Sequence, residues 1–382
     1  MERKTIVSVS SSVDEINQIL LNIRGRDIFF EPSKLVNPSC DFAIWVSLPI
    51  AMRFGGTLQI NGSTSKKARK NAEDLSLIWS TWMPKLFRPV RVQSEGYIEA
   101  KSVKSDAEKS LMLYSGGVDS TFALKRYIDE GNEPPDLLMI HGMDYRKSDH
   151  ERFQRLKDRT ALFREKNAGK SIEVRSNAAS VMRRFGVSSA IGHGFQLFSS
   201  LFLFDYSHRN GLIAADFNFA QDILTVPWGT NSLTNPMFTG NRMQITTLAN
   251  DVTRGEKLKI LNKDKIALNT LSFCKNYSIR PRNCGTCSKC VRTKAMFHAA
   301  GLDIPDIFLI GGFNVTDLRF LDLSKSIEVA FCLDVLKLAR ASGRESDFSI
   351  ISKQLFSKKQ KTKIRHLFRW AEGYLRGIIA KN

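Results

Sequence analysis

The 382-residue sequence has no apolar stretch near the ~18 residues that a membrane-spanning helix needs. Its densest run, "FQLFSSLFLFDY" at 195–206, is broken by serines and an aspartate and predicts a buried helix. The first residues, "MERKTIVSVSSSVDE", lack the charged, apolar and small-residue zones of a signal peptide, so the expected location is cytoplasmic. Internal repeats and long low-complexity segments are absent. So is any G-x-x-x-x-G-K-[ST] motif, which argues against a P-loop kinase or ATPase. Acidic residues are short, with 38 Asp and Glu against 57 Lys and Arg, a formal net charge of +19. That surplus invites nucleic acid, acidic partners or phosphorylated ligands, nucleic acid not being the favoured one, and says nothing of fold. Cysteine is scarce too. Cys40 and Cys332 stand alone, and the other four lie between 274 and 290, a clustering that in a reducing cytosol favours metal over disulfides.

What remains is ordinary globular composition, 42% hydrophobic and 25% charged, long enough for at least two cores. Residues 1–105 read as a separate strand-rich unit. "TIVSVSS", "FAIWVSLPIAM", "GTLQING" and "VRVQSEGYIEA" are its predicted strands, with a helix over 65–83 and a polar linker, "KSVKSDAEKS", at 101–110. From 110 the pattern alternates. "SLMLY", "DLLMIHG", "SIEVRSN" and "LIAADFN" predict strands, separated by helices at "DSTFALKRYIDEG", at 148–167 and at "FQLFSSLFLFDYSHRNG". Strand and helix alternating at this spacing predict an α/β fold, a parallel sheet with helices on both faces. Ligands in such folds bind beyond the carboxyl ends of strands.

The segment Ser115–Ser120, "SGGVDS", occupies such an end. Gly116 and Gly117 let the backbone turn sharply and approach a ligand closely. The helix that follows offers unpaired N–H groups and a positive dipole end, together an anion site. Ser115 and Ser120 add hydroxyl donors. Asp119 would repel a bare phosphate, so it implies either a bound Mg²⁺ or a helix cap; a capped glycine turn accounts for the same residues.

The second constellation is Cys274, nine residues, Cys284, two, Cys287, two, Cys290. Four thiolates at these spacings suit a tetrahedral ion, and a fully sulfur-ligated site leaves no open position for catalysis. Arg280, Arg282, Lys289 and Arg292 lie nearby to offset its negative charge. An iron–sulfur cluster is the rival, because C-x2-C-x2-C also opens a ferredoxin run, although the usual fourth cysteine and proline are missing after Cys290.

Strand-SGGVDS-helix resembles the PP-loop of the ATP pyrophosphatases, enzymes that split ATP between its α and β phosphates. Followed by this cysteine pattern, residues 110–305 resemble 7-cyano-7-deazaguanine synthase, the QueC family. That family adenylates the carboxylate of 7-carboxy-7-deazaguanine and lets ammonia displace AMP. The resemblance implies an adenine nucleotide alpha hydrolase-like domain over 106–310; beyond it, 311–382 reads as a helical basic extension. It implies ATP and Mg²⁺ at Ser115, Gly116, Gly117, Asp119 and Ser120, with Asp119 and Ser115 catalytic, and structural Zn²⁺ on the four cysteines. The N-terminal unit, the extension and "AQDILTVPWGTNSLTNPMFTG" (220–240) depart from a housekeeping synthase. They look like the QueC-like proteins of bacterial anti-phage systems, nearest in layout to the member encoded in the Qat operon. That likeness implies a small operon-encoded partner protein whose terminal amine is the acyl acceptor.

Further candidates follow from position. His141 and Asp144, after the second strand, stand where this fold meets adenine and ribose, and a capped strand end explains them equally. His193, between glycines in "IGHG" before the buried helix, faces the deazapurine or simply turns the chain. Trp228 and Asn231 in "WGTNSLTNP" would stack on and hydrogen-bond a flat heterocycle, or pack. Asp216 ends the fourth strand as a cap or a second Mg²⁺ ligand. The last 30 residues carry nine Lys or Arg and one acid, Glu372, with Ile364, Leu367, Phe368, Ala371, Leu375 and Ile378 at helical spacing. A packed helix with a solvated basic face is expected there, with an acidic partner, RNA or a membrane surface as the alternatives. The expected function is adenylation of a deazapurine carboxylate and acyl transfer to a nitrogen nucleophile. The alternatives are a tRNA-modifying thiolase-like enzyme, for which the positive charge would serve RNA, and a housekeeping 7-cyano-7-deazaguanine synthase using ammonia.

Overall fold

Among the described residues between 4 and 248, one ten-stranded sheet runs in the order β10-β9-β6-β7-β8-β3-β2-β1-β4-β5. The computed structural model describes residues 4–12, 17–98 and 109–355. The N-terminal part supplies β1 (Lys4–Ser12), β2 (Gln18–Ile23), β3 (Arg26–Pro32), α1 (Asp41–Phe54), β4 (Gly56–Ser65), α2 (Lys66–Trp82) and β5 (Val90–Ile98). The alternating part supplies β6 (Ser110–Leu113), α3 (Val118–Asp129), β7 (Asp136–His141), α4 (His150–Asn167), β8 (Ser171–Ser176), α5 (Ala178–Arg184), α6 (Ser189–Phe202) and β9 (Asn210–Ala214). After α7 (Phe219–Thr225) and β10 (Gln244–Leu248) the chain is helical: α8 (Arg254–Leu261), α9 (Lys265–Thr270), α10 (Ser288–Ala299), α11 (Ser326–Ala341) and α12 (Ser349–Leu355).

Six of the nine strand pairings are parallel. The α/β expectation therefore holds, and β10, β9, β6, β7 and β8 form its parallel half. Residues 4–98 do not make a sheet of their own. Phe30 of β3 pairs antiparallel with Ser176 of β8, which joins the two halves across a seam. Contacts divide the chain elsewhere, into Met1–Asp216 with Pro227–Asn250, and Phe217–Val226 with Asp251–Asn382. Residues 101–108 of the expected linker and the basic segment from 356 onward lie outside the described residues.

The expected strand "FAIWVSLPIAM" is instead most of α1. Asp41 through Met52 are all buried, so no polar stripe marks the helical period. Trp45 lies against Phe202 and Phe238, with ring centroids 5.7 and 5.1 Å away, and α1 packs on α2 and α6. The buried helix expected from Phe195 begins earlier, at Ser189, which carries "IGHG" inside α6. Strands β2, β3 and β10 were not anticipated; each is short, and β2 and β3 meet in a hairpin turned by Arg24 and Gly25, both at positive φ.

Burial of α1 brings two carboxyls inside. Asp41 accepts from the Ser65 amide and hydroxyl, each at 2.7 Å, and Asp205 accepts from the Ser39 amide and hydroxyl. Desolvation dominates over these donors and raises Asp41 to about 6 and Asp205 to about 7. At the lowest pH both carboxyls are protonated folded and unfolded, and the folded chain's preference for the proton is fully present. As pH rises past ~4 the unfolded chain sheds these protons first, and stability is lost until the folded carboxyls ionise near 6 and 7. Asp205→Asn retains an acceptor and a donor toward Ser39 without the charge. Melting temperature is expected to fall from acid to mildly alkaline pH in the parent and to fall less in the variant; equal slopes in the two proteins would contradict this.

Candidate functional site

β6 ends at Leu113 between β7 and β9, and its register is Leu111 opposite Asp136 on one side and opposite Gly211 on the other. The chain then turns through Ser115 and Gly116, whose φ of 69° suits a residue without Cβ, and enters α3 with Gly117 as N-cap. The N-cap glycine has no side chain to cap the helix, and Asp119 lies in its first turn. The turn is braced by its two serines. The Ser115 amide donates to Ser120 Oγ at 3.3 Å, the two hydroxyls are 3.2 Å apart, and the Gly117 amide donates to Ser115 Oγ at 3.3 Å. Ser115 is exposed and Ser120 buried. The structure thus brings the five expected residues into one braced turn at a helix N-terminus, where backbone N–H groups and the helix dipole favour an anion.

The other expected residues divide. The His141 imidazole is buried, its Nε2–H donates to the Arg146 carbonyl at 2.7 Å, and its ring stacks on Phe153 at 4.5 Å. It pins the turn after β7, as the alternative of a capped strand end expects. Asn231 is also buried and builds a turn. Its Oδ1 accepts from the Leu233 amide at 2.9 Å, and its own amide donates to Asn235 Oδ1. His193, by contrast, belongs to a cluster. Its Nε2 is 3.0 Å from Thr230 Oγ1, Thr230 donates to Asp216 Oδ2 at 2.7 Å, and Trp228 Nε1–H donates to the same oxygen at 2.8 Å. The indole lies 4.8 Å from the imidazole, centroid to centroid. Burial lowers the His193 pKa, while the charges of Asp216 and Asp144 oppose that shift.

Two glycines make this cluster. A Cβ on Gly194 would run into the Gly229 carbonyl, and one on Gly229 would run into the Ile191 carbonyl and the His193 ring. The Gly229 amide donates to the Ala190 carbonyl at 2.9 Å, so the loop lies directly on α6. Sequence reasoning singled out "IGHG" and "WGTN" separately and missed Thr230, the hydroxyl between them.

In the helical unit the four cysteines converge. Their sulfurs all lie within 4.8 Å of one another, with Cys274 to Cys287 at 3.9 Å and Cys284 to Cys290 at 3.8 Å. A tetrahedral ion with ~2.3 Å metal–sulfur bonds needs sulfurs ~3.8 Å apart. The donor set and spacing therefore fit a single ion such as zinc, and a multi-iron cluster would spread them further. Backbone amides point at the sulfurs, Asn276 to Cys274 at 3.3 Å, Thr286 to Cys284 at 3.3 Å and Cys287 to Cys284 at 3.2 Å. Burial would raise the Cys284 thiol, but the Thr286 hydroxyl and these amides outweigh it and hold it below the ordinary value. Gly285, at φ 87°, lets the knuckle press against the Ile310 carbonyl. Asn283, unnoticed in the sequence, is fully buried and ties the knuckle to the Leu271 and Ile307 carbonyls.

The basic residues expected around the sulfurs have other partners as well. Arg292 pairs with Glu328 at 3.0 Å and stacks on Phe331, and Arg280 Nε–H donates to the Cys274 carbonyl. Lys294, not anticipated, sits in the field of Cys290 and Cys284 while donating to the Ile310 and Gly311 carbonyls. Among the described residues no helix is long and apolar enough to cross a membrane. Comparison with known proteins finds no matching family model, curated protein or solved structure.

Elemental analysis of the purified protein is expected to give about one zinc per chain, as for a closed four-cysteine site. Cys287→Ser should lose that metal and melt lower, because binding there is coupled to folding. Stoichiometric iron, or a Cys287→Ser protein that melts like the parent, would contradict the assignment.

Proposed function

We propose that the Ser115–Ser120 turn binds the phosphates of ATP and that the chain is a QueC-like PP-loop enzyme, closest in layout to QatC of the Qat anti-phage system. It adenylates a carboxylate on a 7-deazaguanine-like base and passes the acyl group to a nitrogen nucleophile. The observation that carries this reading is the braced, glycine-containing turn at the carboxyl end of β6, opening α3. The downstream four-cysteine knuckle supports it as the second feature of the resemblance.

In this reading the substrate carboxylate attacks the α-phosphorus, the α–β bridge breaks, and pyrophosphate leaves. The amides of Gly116 and of Val118 to Ser120, with the hydroxyls of Ser115 and Ser120, take up the charge that builds on the departing oxygens. Asp119 would hold Mg²⁺, which supplies further positive charge to the same phosphates. The half-exposed Trp228 ring offers a face for the flat base. Zinc on Cys274, Cys284, Cys287 and Cys290 has a structural role. The acceptor is a partner-protein terminal amine, since a low-pKa α-amino group is uncharged more often than lysine.

The thiolase alternative loses ground on its cysteines. A persulfide carrier reacts as a thiolate. Burial raises Cys40 to about 11 and Cys332 to about 12, and the other four are gathered in the knuckle.

With 7-carboxy-7-deazaguanine present, ATP is expected to yield AMP and pyrophosphate. Asp119→Ala should reduce this by about 100-fold or more, with the melting temperature unchanged. ADP and orthophosphate as the main products would overturn the reading.

A further inference from the structure

The contacts of His193 hold one proton more than a neutral imidazole and an ionised carboxylate possess. Nδ1 faces the Ser189 carbonyl at 2.9 Å and must donate to it. Nε2 faces Thr230 Oγ1 at 3.0 Å, and that hydroxyl faces Asp216 Oδ2 at 2.7 Å. Thr230 has one hydrogen. If it goes to Asp216, Nε2 needs a proton of its own; if it goes to Nε2, Asp216 needs one. The unloaded relay is one hydrogen short, and uptake of a single proton completes it.

This relay opens on the site edge. Asp216 Oδ2 takes both donors, from Trp228 and Thr230, which leaves Oδ1 on a side chain 32% exposed, while His193 behind it is 16% exposed. β6 and β9 pair in parallel, Ser110 opposite Asn210, so the Ser115–Ser120 turn and Asp216 both follow the carboxyl ends of neighbouring strands. The carboxylates whose charge acts on His193 are Asp216 and Asp144, at the carboxyl ends of β9 and β7.

We infer that His193, Thr230 and Asp216 form a proton acceptor for the nitrogen nucleophile, an inference that rests on the acyl-transfer reading of the same edge. The nitrogen lone pair forms the C–N bond at the acyl carbon, the C–O bond to AMP breaks, and AMP leaves with that electron pair. The nitrogen sheds one proton to Asp216 Oδ1; a half-turn of the carboxyl then presents that O–H to Thr230 Oγ1, and the Thr230 hydrogen passes to His193 Nε2. Asp216 is the group that meets the nucleophile; His193 and Thr230 act through it as positioning residues.

Thr230→Val keeps the shape and removes the hydroxyl, and Thr230→Ser restores it. The two half-reactions are measured apart, as ATP–pyrophosphate exchange with 7-carboxy-7-deazaguanine and as acyl transfer to ammonium or to a short peptide with a free α-amine. Thr230→Val is expected to slow transfer at least about 10-fold, with exchange within about 2-fold of the parent and transfer recovered in Thr230→Ser. By NMR, the His193 imidazole should titrate at lower pH in Thr230→Val and in Asp216→Asn, because the imidazolium loses its link to the carboxylate. Equal loss of both half-reactions, or an unchanged His193 titration, would overturn the relay. Absence of exchange in the parent protein would instead sink the adenylation reading, and the NMR titration would still decide whether the relay exists.

Discussion

The parallel pairing of β6 with β7 on one side and β9 on the other is the interaction on which the rest of the first unit depends. Parallel neighbours send their carboxyl ends to one edge, so the turn after each strand arrives at the same place. That alignment gathers the Ser115–Ser120 turn, Asp144 and Asp216 from segments far apart in sequence. The seam between β3 and β8 extends the sheet without disturbing this edge, because every strand it adds lies beyond β8.

Close backbone approach does the second part of the work. Gly194 and Gly229 have no side chain where the loop at 227–230 lies on α6, and that contact sets Trp228, Thr230 and His193 around one carboxylate oxygen. Gly285 plays the same part in the helical unit, where it lets the cysteine knuckle press on the Ile310 carbonyl. In a chain of net charge +19 the residues gathered at the end of β9 are carboxylates and a histidine that burial keeps reluctant to charge. Such a place suits a group that has to give up a proton more than it suits a phosphate.

Most of the parallel half was legible in the sequence, because short β-branched and leucine-rich runs alternate with helices closed by glycine or asparagine. The glycine turn and the four cysteines were legible for a different reason, since each is a local pattern whose spacing carries its own chemistry. Helix α1 was not, because a segment buried on all sides shows neither the period of a helix nor that of a strand. The hairpin of β2 and β3 gave little signal because its turn, Arg24-Gly25, lies between strands of only six and seven residues. His141 and Asn231 looked like ligand contacts because polar residues at strand ends and loops serve either purpose. In the fold their side chains meet a carbonyl for one and an amide for the other. Thr230 and Asn283 carried no signal at all, since their roles exist only once distant segments meet.

The central claim is that a carboxylate oxygen attacks the α-phosphorus of ATP at the turn after β6. Running the reaction with 7-carboxy-7-deazaguanine labelled with ¹⁸O in its carboxylate and weighing the products tests this most directly. The account predicts one ¹⁸O in the phosphate of AMP and none in pyrophosphate. Label in orthophosphate, or AMP whose new oxygen comes from water, would contradict it.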